Sequence, residues 1–388
     1  MDEEINEQAL ALHKKLKGKI SIESKAGNVT PENLPILYTP GVGAVSAYIA
    51  EHPEAVNSMT NRANTVAIVT DGTAVLGLGN IGPKAALPVM EGKAILFKTF
   101  AGIDAVPICL DTQDAEEIIR TVKAMEPTFG GINLEDIAAP KAFTILARLK
   151  NEMQIPVLHD DQQGTAVVVL AGLINSLAVR GLTLAQARIV VNGAGAAGLA
   201  IASLLITAGA KQIVVTDSHG AIYKGREGMN EEKERIAKVT NMVCSLGLDK
   251  EGCVSGGLTE ALAGAHVFVG VSKGGVLTAE MIRTMAERPI IFALANPVPE
   301  IFPDEAHAGG AYIVATGRSD FPNQLNNVLA FPGIFRGAID NGVRLITDEM
   351  LIRAARAIAG AVEAPDAEHI VPSVFDTTLV KRVADAIR

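Results

Sequence analysis

The apolar run Ile189-Val190-Val191 ends at Asn192 and passes through Gly193-Ala194-Gly195-Ala196-Ala197-Gly198 into a second uncharged stretch that reaches Ala208. A strand, a turn with three glycines and a helix form one unit, and few folds accept that succession. The strand that follows, Gln212 to Thr216, ends in Asp217, nineteen residues after Gly198. At that distance a carboxylate meets the ribose hydroxyls of a dinucleotide whose pyrophosphate rests on the helix N-terminus. Gly193, Ala194, Gly195, Ala196, Ala197, Gly198 and Asp217 are therefore the candidate cofactor residues. Gly77-Leu78-Gly79-Asn80-Ile81-Gly82 matches the same pattern formally. Pro83 and Lys84 follow it and no strand ending in an acid lies about twenty residues on, where a ribose partner would sit, so it reads as a tight turn.

A second stretch concentrates charge. Ile155-Pro156-Val157-Leu158-His159 reads as a strand that runs into Asp160-Asp161, and Gly164 to Val179 then continues without a charge, as a buried helix would. Upstream, Gly130 to Leu134 runs into Glu135-Asp136 in the same way. Ionised carboxylates resist burial unless they are paired or bound to metal. Two parallel strands that both end in acid pairs gather up to four carboxylates at one end of a sheet. Oxygen ligands without a nearby His/Cys set favour Mg²⁺ or Mn²⁺.

Lys93, in Glu91-Gly92-Lys93-Ala94-Ile95-Leu96-Phe97-Lys98, reads as lying at the mouth of an apolar strand, where burial lowers a lysine's pKa and suits it to act as a base. Lys98 is the rival. Tyr38 precedes Pro40, Gly41 and Gly43 and is expected in a loop, either as a functional hydroxyl or as a buried one satisfied by backbone. Asn296, at the end of an expected strand Pro289 to Ala295, is placed to contact substrate or nicotinamide, or to cap the next turn. Asn326 and Asn327, in the run Asn323 to Asn327, either cap a helix expected from Ile334 or orient an acid's carboxylate.

Of the 388 residues 20% are charged, and the net charge is −9, which argues against nucleic acid or an anionic membrane as partner. Trp is absent and Gly numbers 37, as suits helices packed closely on a parallel sheet. Cys109, Cys244 and Cys253 show no metal spacing and are too few for a disulfide framework, so a cytoplasmic, soluble protein is expected. The acidic start Met1-Asp2-Glu3-Glu4 is not that of a signal peptide. Ile189 to Ala210 is long and apolar, yet its glycines and strand-turn-helix pattern exclude a membrane span.

The remaining pattern alternates. Helices are expected over Asp2–Lys17 (Ile5, Leu12 and Leu16 on one face), Asp114–Met125, Asn230–Leu246, Leu258–Ala263, Thr278–Glu287, Asp348–Val362 and Thr377–Arg388. Strands are expected at Thr65–Thr70, Ala265–Val271 and Ala311–Ala315, and a loop over residues 27–35. The fold class is α/β. An N-terminal α/β catalytic domain (1–162) precedes a doubly wound Rossmann-type NAD-binding domain with C-terminal helices (163–388).

In these residues together the chain resembles the malic enzymes, in particular their short bacterial form. The resemblance implies an NAD(P)-dependent malate dehydrogenase of the oxaloacetate-decarboxylating kind, converting malate to pyruvate and CO₂ with Mg²⁺ or Mn²⁺. It implies Tyr38 as general acid, Lys93 as catalytic lysine supported by Asp160, and Glu135, Asp136 and Asp161 as metal ligands. It implies Asn296, Asn326 and Asn327 as substrate amides, and a homodimer in which Tyr38 or Lys93 completes a neighbour's site. Longer members carry an arginine where this chain has Ala74, and Arg318 is the candidate to replace it at a substrate carboxylate. Asp217 is followed by Ser218-His219, with no adjacent base for a 2′-phosphate, so NAD is expected over NADP. An amino-acid dehydrogenase and a catalytically silent NAD-binding regulator are the alternatives.

Overall fold

The computed structural model describes residues 2–242, 244 and 253–388. Among them the front sheet contains β1 (Thr65–Thr70), β2 (Asp104–Cys109), β3 (Gly131–Leu134) and β4 (Val157–His159), parallel throughout and ordered β2-β1-β3-β4. Strand periodicity explains its two covered faces. Val66 and Ile68 of β1 enter one apolar cluster, whereas Ala67 and Val69 enter another. The back sheet contains β5 (Arg188–Asn192), β6 (Gln212–Asp217), β7 (Gly220–Ala221), β8 (Val267–Gly270), β9 (Ile290–Ala293) and β10 (Ile313–Thr316). Its order is β10-β9-β8-β5-β6-β7, parallel except for the β6–β7 pair. Ile189 and Val191 face one cluster and Val190 faces the opposite one. The expected α/β class, with a front unit followed by a Rossmann-like unit, is what the chain adopts.

A π-helical turn, Asp160–Gly164, and the helix Thr165–Arg180 connect the two sheets. The combined segment Asp160–Arg180 is long and apolar enough to cross a membrane, but 78% of its most apolar window is buried inside the protein. It is a core helix, and Ile189 to Ala210 divides into β5 and the helix Ala196–Thr207.

Several expected elements change. Glu91 to Lys98 is not a strand but part of the helix Pro83–Ala101, whose Ala86, Met90, Ala94 and Phe97 are buried at helical spacing. A short apolar run carries no period of its own, and only the longer window reveals the helix. Phe97 packs 4.7 Å from Phe331 and 5.4 Å from Phe335 by ring centroids, so the C-terminal helix Phe331–Asp340 also covers the front half. That helix starts three residues earlier than expected, with Pro332 in its first turn, where a missing N–H costs nothing. Gly41 and Gly43 belong to the helix Gly41–Glu51 rather than a loop; Tyr38 caps the preceding short helix Leu34–Leu37. Asn230 caps a helix that spans only Glu231–Ala237; residues 243, 245 and 246 of the longer expected helix lie outside the described residues.

Cys244 and Cys253 form a disulfide, with Cα atoms 4.8 Å apart. The cysteines, read as too few for a disulfide framework, nonetheless supply one bridge, and the compartment inferred from them loses that support. Residues 4–64 include none that is buried. Ile5, Leu12 and Leu16 do line the helix Asp2–Leu16, but among the described residues none buries them.

Candidate active site

Strand register builds the acidic cluster. Leu134 of β3 pairs with His159 of β4, so Glu135-Asp136 and Asp160-Asp161 leave adjacent strands at the same end. Asp136 takes a left-handed conformation (φ 54°), and its N–H donates to Asp161 Oδ2 at 2.8 Å. Ligand oxygens of Glu135, Asp136 and Asp161 all lie within 4.8 Å of one another. Burial, together with the neighbouring acids, pushes the Asp136 carboxyl up to about 8 and raises Glu135 well above its ordinary value, although Lys93 opposes both. Asp136 Oδ2 and Asp160 Oδ1 are buried without a hydrogen-bond partner. Oxygen donors crowded so closely that their carboxyls cling to protons fit a hard divalent cation, which would take the protons' place.

Lys93 lies beside this cage. Its Nζ is 2.6 Å from Asp160 Oδ2, 3.0 Å from Glu135 Oε1 and 4.4 Å from the centre of the Phe331 ring. Burial works to lower its pKa, but the Asp160 and Glu135 carboxylates outweigh burial and hold the ammonium above its ordinary value. The expected downward shift is corrected: Lys93 comes from a helix and sits between two counter-charges. Asn327 Nδ2 donates to Asp160 Oδ2 at 3.1 Å and to Thr165 Oγ1 at 3.1 Å, tying the lysine's partner to the start of the core helix. Lys98, the rival, pairs with Asp104 at the surface.

At the back sheet each fingerprint glycine has a distinct steric reason. A Cβ on Gly193 (φ 120°) would lie 2.6 Å from Val271 O, and one on Gly198 would lie 1.7 Å from Gly193 O. Gly195 meets nothing within 4 Å and leaves its side open. Tight turn, open approach and close helix–strand packing are the three needs of a dinucleotide turn, and the helix Ala196–Thr207 starts there. Asp217 ends β6 as expected, but it is not alone. Arg226 donates to it at 2.6 and 2.8 Å, and Lys233 at 2.7 Å. Burial would raise the Asp217 carboxyl; these two cations hold it well below its ordinary value. The absence of an adjacent base was true in sequence and is not true in space.

Other candidates are less engaged. Tyr38 is 67% exposed, and among the described residues no hydrogen bond joins it to the lysine-acid cluster. Arg318 forms a two-bonded pair with Asp320 (2.9 and 2.8 Å) and donates to Pro297 O, so its charge is already countered. Asn326 caps the turn Asn327–Leu329 through Val328 N–H. Asn296 is exposed on the loop after β9; a Cβ on Gly77 would lie 2.4 Å from its carbonyl oxygen, so the front turn touches that loop. Sequence reasoning missed Asn133, which donates to Glu135 at 2.8 Å, and the fully buried His159, whose Nδ1 is 3.7 Å from Asp161. Burial lowers that histidine's pKa. Its place one residue before the acid pair was the available signal.

Known proteins match this arrangement along the whole chain. The family description "Malic enzyme, N-terminal domain" matches residues 17–118 and 112–150, and "Malic enzyme, NAD binding domain" matches residues 162–387. The chain is 53% identical over 386 residues to the bifunctional malic/malolactic enzyme of Bacillus subtilis, covering 99% of this chain and 92% of that one. It is 50% identical over 385 residues to the NAD-dependent malic enzyme of Geobacillus stearothermophilus, covering 99% and 78%. The crystal structure of the NAD-dependent malic enzyme from Thermotoga maritima superposes with a TM-score of 0.92 at 51% identity over 98% of each chain. The cage, the lysine and the glycine turn thus occur on a chain that belongs to the malic enzyme family.

Proposed function

We propose that this protein oxidatively decarboxylates (S)-malate to pyruvate and CO₂ with reduction of NAD, dependent on Mg²⁺ or Mn²⁺, and that it also decarboxylates oxaloacetate. The observation that carries this is Lys93 held between Asp160 and Glu135 at the rim of the three-acid cage. An amino-acid dehydrogenase has use for such a lysine but none for the cage. Residues 1–162 form the malate and metal part and 163–388 the dinucleotide part.

Glu135, Asp136 and Asp161 would hold the cation, which supplies charge to bind the substrate's oxygens and to stabilise an enolate. The nicotinamide supplies the acceptor for the hydride that leaves C2. Every other role falls to side chains. With positive charge in the cage, Lys93 Nζ first passes its own proton to Asp160 Oδ2, 2.6 Å away, and the neutral amine so formed takes the C2 hydroxyl proton. Asn327 keeps Asp160 aimed at the lysine. After CO₂ leaves, the enolate carbon needs a proton, and Tyr38 is the acid assigned to it. Asn296 and Asn326 are assigned to substrate contact. Arg318 would have to exchange Asp320 for the substrate carboxylate.

Tyr38 is exposed and is assigned to a neighbouring copy's cluster. Ile5, Leu10, Leu12, Leu16, Ile36 and Tyr48 are all exposed on a segment with no buried residue, and an apolar face of that extent supports a homodimer. For the cofactor, Asp217 remains an ionised acceptor suited to ribose hydroxyls, which supports preference for NAD. Arg226 and Lys233 offset its repulsion of a 2′-phosphate, so NADP is accepted at lower efficiency. Malate-dependent formation of NADH and NADPH, with Mn²⁺ and with chelator, tests the proposal. NADH formation that needs Mn²⁺ supports it; turnover of an amino acid without metal contradicts it.

A further inference from the structure

Thr216, Asn192, Ser272 and Glu300 form one hydrogen-bonded line beneath the glycine turn. Thr216 Oγ1 donates to Asn192 Oδ1 at 2.8 Å, and Asn192 Nδ2 donates to Ser272 Oγ at 2.8 Å. Glu300 completes the line. Its Oε1 accepts from the Ser272 N–H at 2.9 Å and its Oε2 from the Ala295 N–H at 3.0 Å. Thr216, Asn192 and Ser272 stand at or just beyond the C-terminal ends of β6, β5 and β8, and Glu300 bonds Ala295 just beyond the end of β9, the next strand in that order.

Glu300 has no exposed surface. A carboxylate stripped of water is costly unless its oxygens are bonded, so packing alone gives no reason for an acid here. Burial pushes its carboxyl up, and the N–H donors of Ser272 and Ala295 act against that. Space has been cleared for it: a Cβ on Gly270 would lie 2.4 Å from Glu300 Cδ and 2.6 Å from Oε1. The two loops it joins are also zipped by Gly275 N–H to Pro299 O and Leu277 N–H to Glu300 O, both 3.0 Å. One loop closes on the dinucleotide turn, since Val271 O is the atom that crowds Gly193. The other carries Asn296, next to Ala295.

We propose that Glu300 is a positioning residue for the dinucleotide, fixing the Asn296 loop relative to the Gly193 turn by bridging the backbone N–H groups of Ser272 and Ala295. This rests on the cofactor reading given above. Glu300→Gln keeps the shape but turns one acceptor into a donor facing a backbone N–H, which leaves that N–H unsatisfied. Gly270→Ala displaces the same carboxylate from the other side without changing its chemistry.

The experiment measures NADH affinity by fluorescence titration, KM for NAD, kcat, Mn²⁺ affinity by electron paramagnetic resonance and the thermal midpoint. In both variants Kd for NADH and KM for NAD rise at least about tenfold, while kcat at saturating NAD changes less than about threefold. Mn²⁺ affinity stays at the wild-type value, and the thermal midpoint falls by no more than about a few degrees. Wild-type NADH affinity in Glu300→Gln overturns the proposal. So does a loss of NADH affinity, Mn²⁺ affinity and thermal midpoint together, or failure of both variants to fold, because the role is then structural only. NADH binding is read without malate, so an enzyme inactive on malate whose variants still lose NADH affinity and keep Mn²⁺ affinity would contradict the proposed reaction and leave this inference standing.

Discussion

Lys93 Nζ lies 2.6 Å from Asp160 Oδ2, although 67 positions separate the two residues. The helix Pro83–Ala101 brings one and the end of β4 the other, and Glu135, just past β3, closes the group from the third side. A lysine between two carboxylates holds its proton firmly while the cage carries only negative charge. Charge at the cage and proton affinity at the lysine are therefore linked.

The first prediction separates acid from base. Lys93→Ala should suppress malate oxidation most severely, whereas Tyr38→Phe should retain some oxidation but protonate the enolate poorly. Loss of one such group costs about 10²–10⁴-fold. NADH formation and solvent-proton exchange into pyruvate are followed in both. Wild-type exchange in Tyr38→Phe removes the tyrosine from the acid role.

The second concerns the cage. Asp161→Asn or Glu135→Gln should abolish Mn²⁺-dependent turnover and leave NADH binding intact, since the glycine turn belongs to the other sheet. Metal titration of each variant decides the matter. Unchanged Mn²⁺ affinity in either one strikes that residue from the ligand set.

Much of this site was legible in the sequence because each part sits at a strand's C-terminal end, where residue order and spatial position coincide. The glycine turn, Asp217 and both acid pairs are of that kind. Lys93 was found as a residue but misread as to element, because Ala94 to Phe97 is too short to carry a period and the helix shows only from Ala86 onward. Arg226 and Lys233 were missed because they reach Asp217 from nine and sixteen residues downstream, around a turn that no local pattern foretells. Glu300 is a carboxylate inside an apolar surrounding; its reason is visible only once two loops are seen to meet.

A third prediction follows from those two cations. Lys233→Gln removes one of the charges countering Asp217, so kcat/KM with NADP should fall at least about tenfold relative to that with NAD. Steady-state kinetics with both dinucleotides measures the ratio. An unchanged ratio means that Lys233 serves Asp217 alone and never meets a 2′-phosphate.

The fourth tests the contact between the two halves. Gly77 leaves no room for a side chain, since a Cβ there would lie 2.4 Å from Asn296 O and 2.8 Å from Pro297 Cδ. Gly77→Ala should force the two loops apart and raise KM for malate and NAD together. The thermal midpoint should barely move, because the turn lies at the rim and Leu76 and Leu78 beside it are exposed. Wild-type KM values would show that the turn yields freely.

The most direct test of the whole account is stoichiometry. Carboxyl-labelled malate, NAD and Mn²⁺ are mixed with the enzyme, and NADH, pyruvate and released CO₂ are counted in one sample, with a chelator-treated sample beside it. The account predicts equal amounts of all three products, and none in the presence of chelator. NADH accumulating with oxaloacetate and without CO₂, or full turnover under chelator, would contradict it.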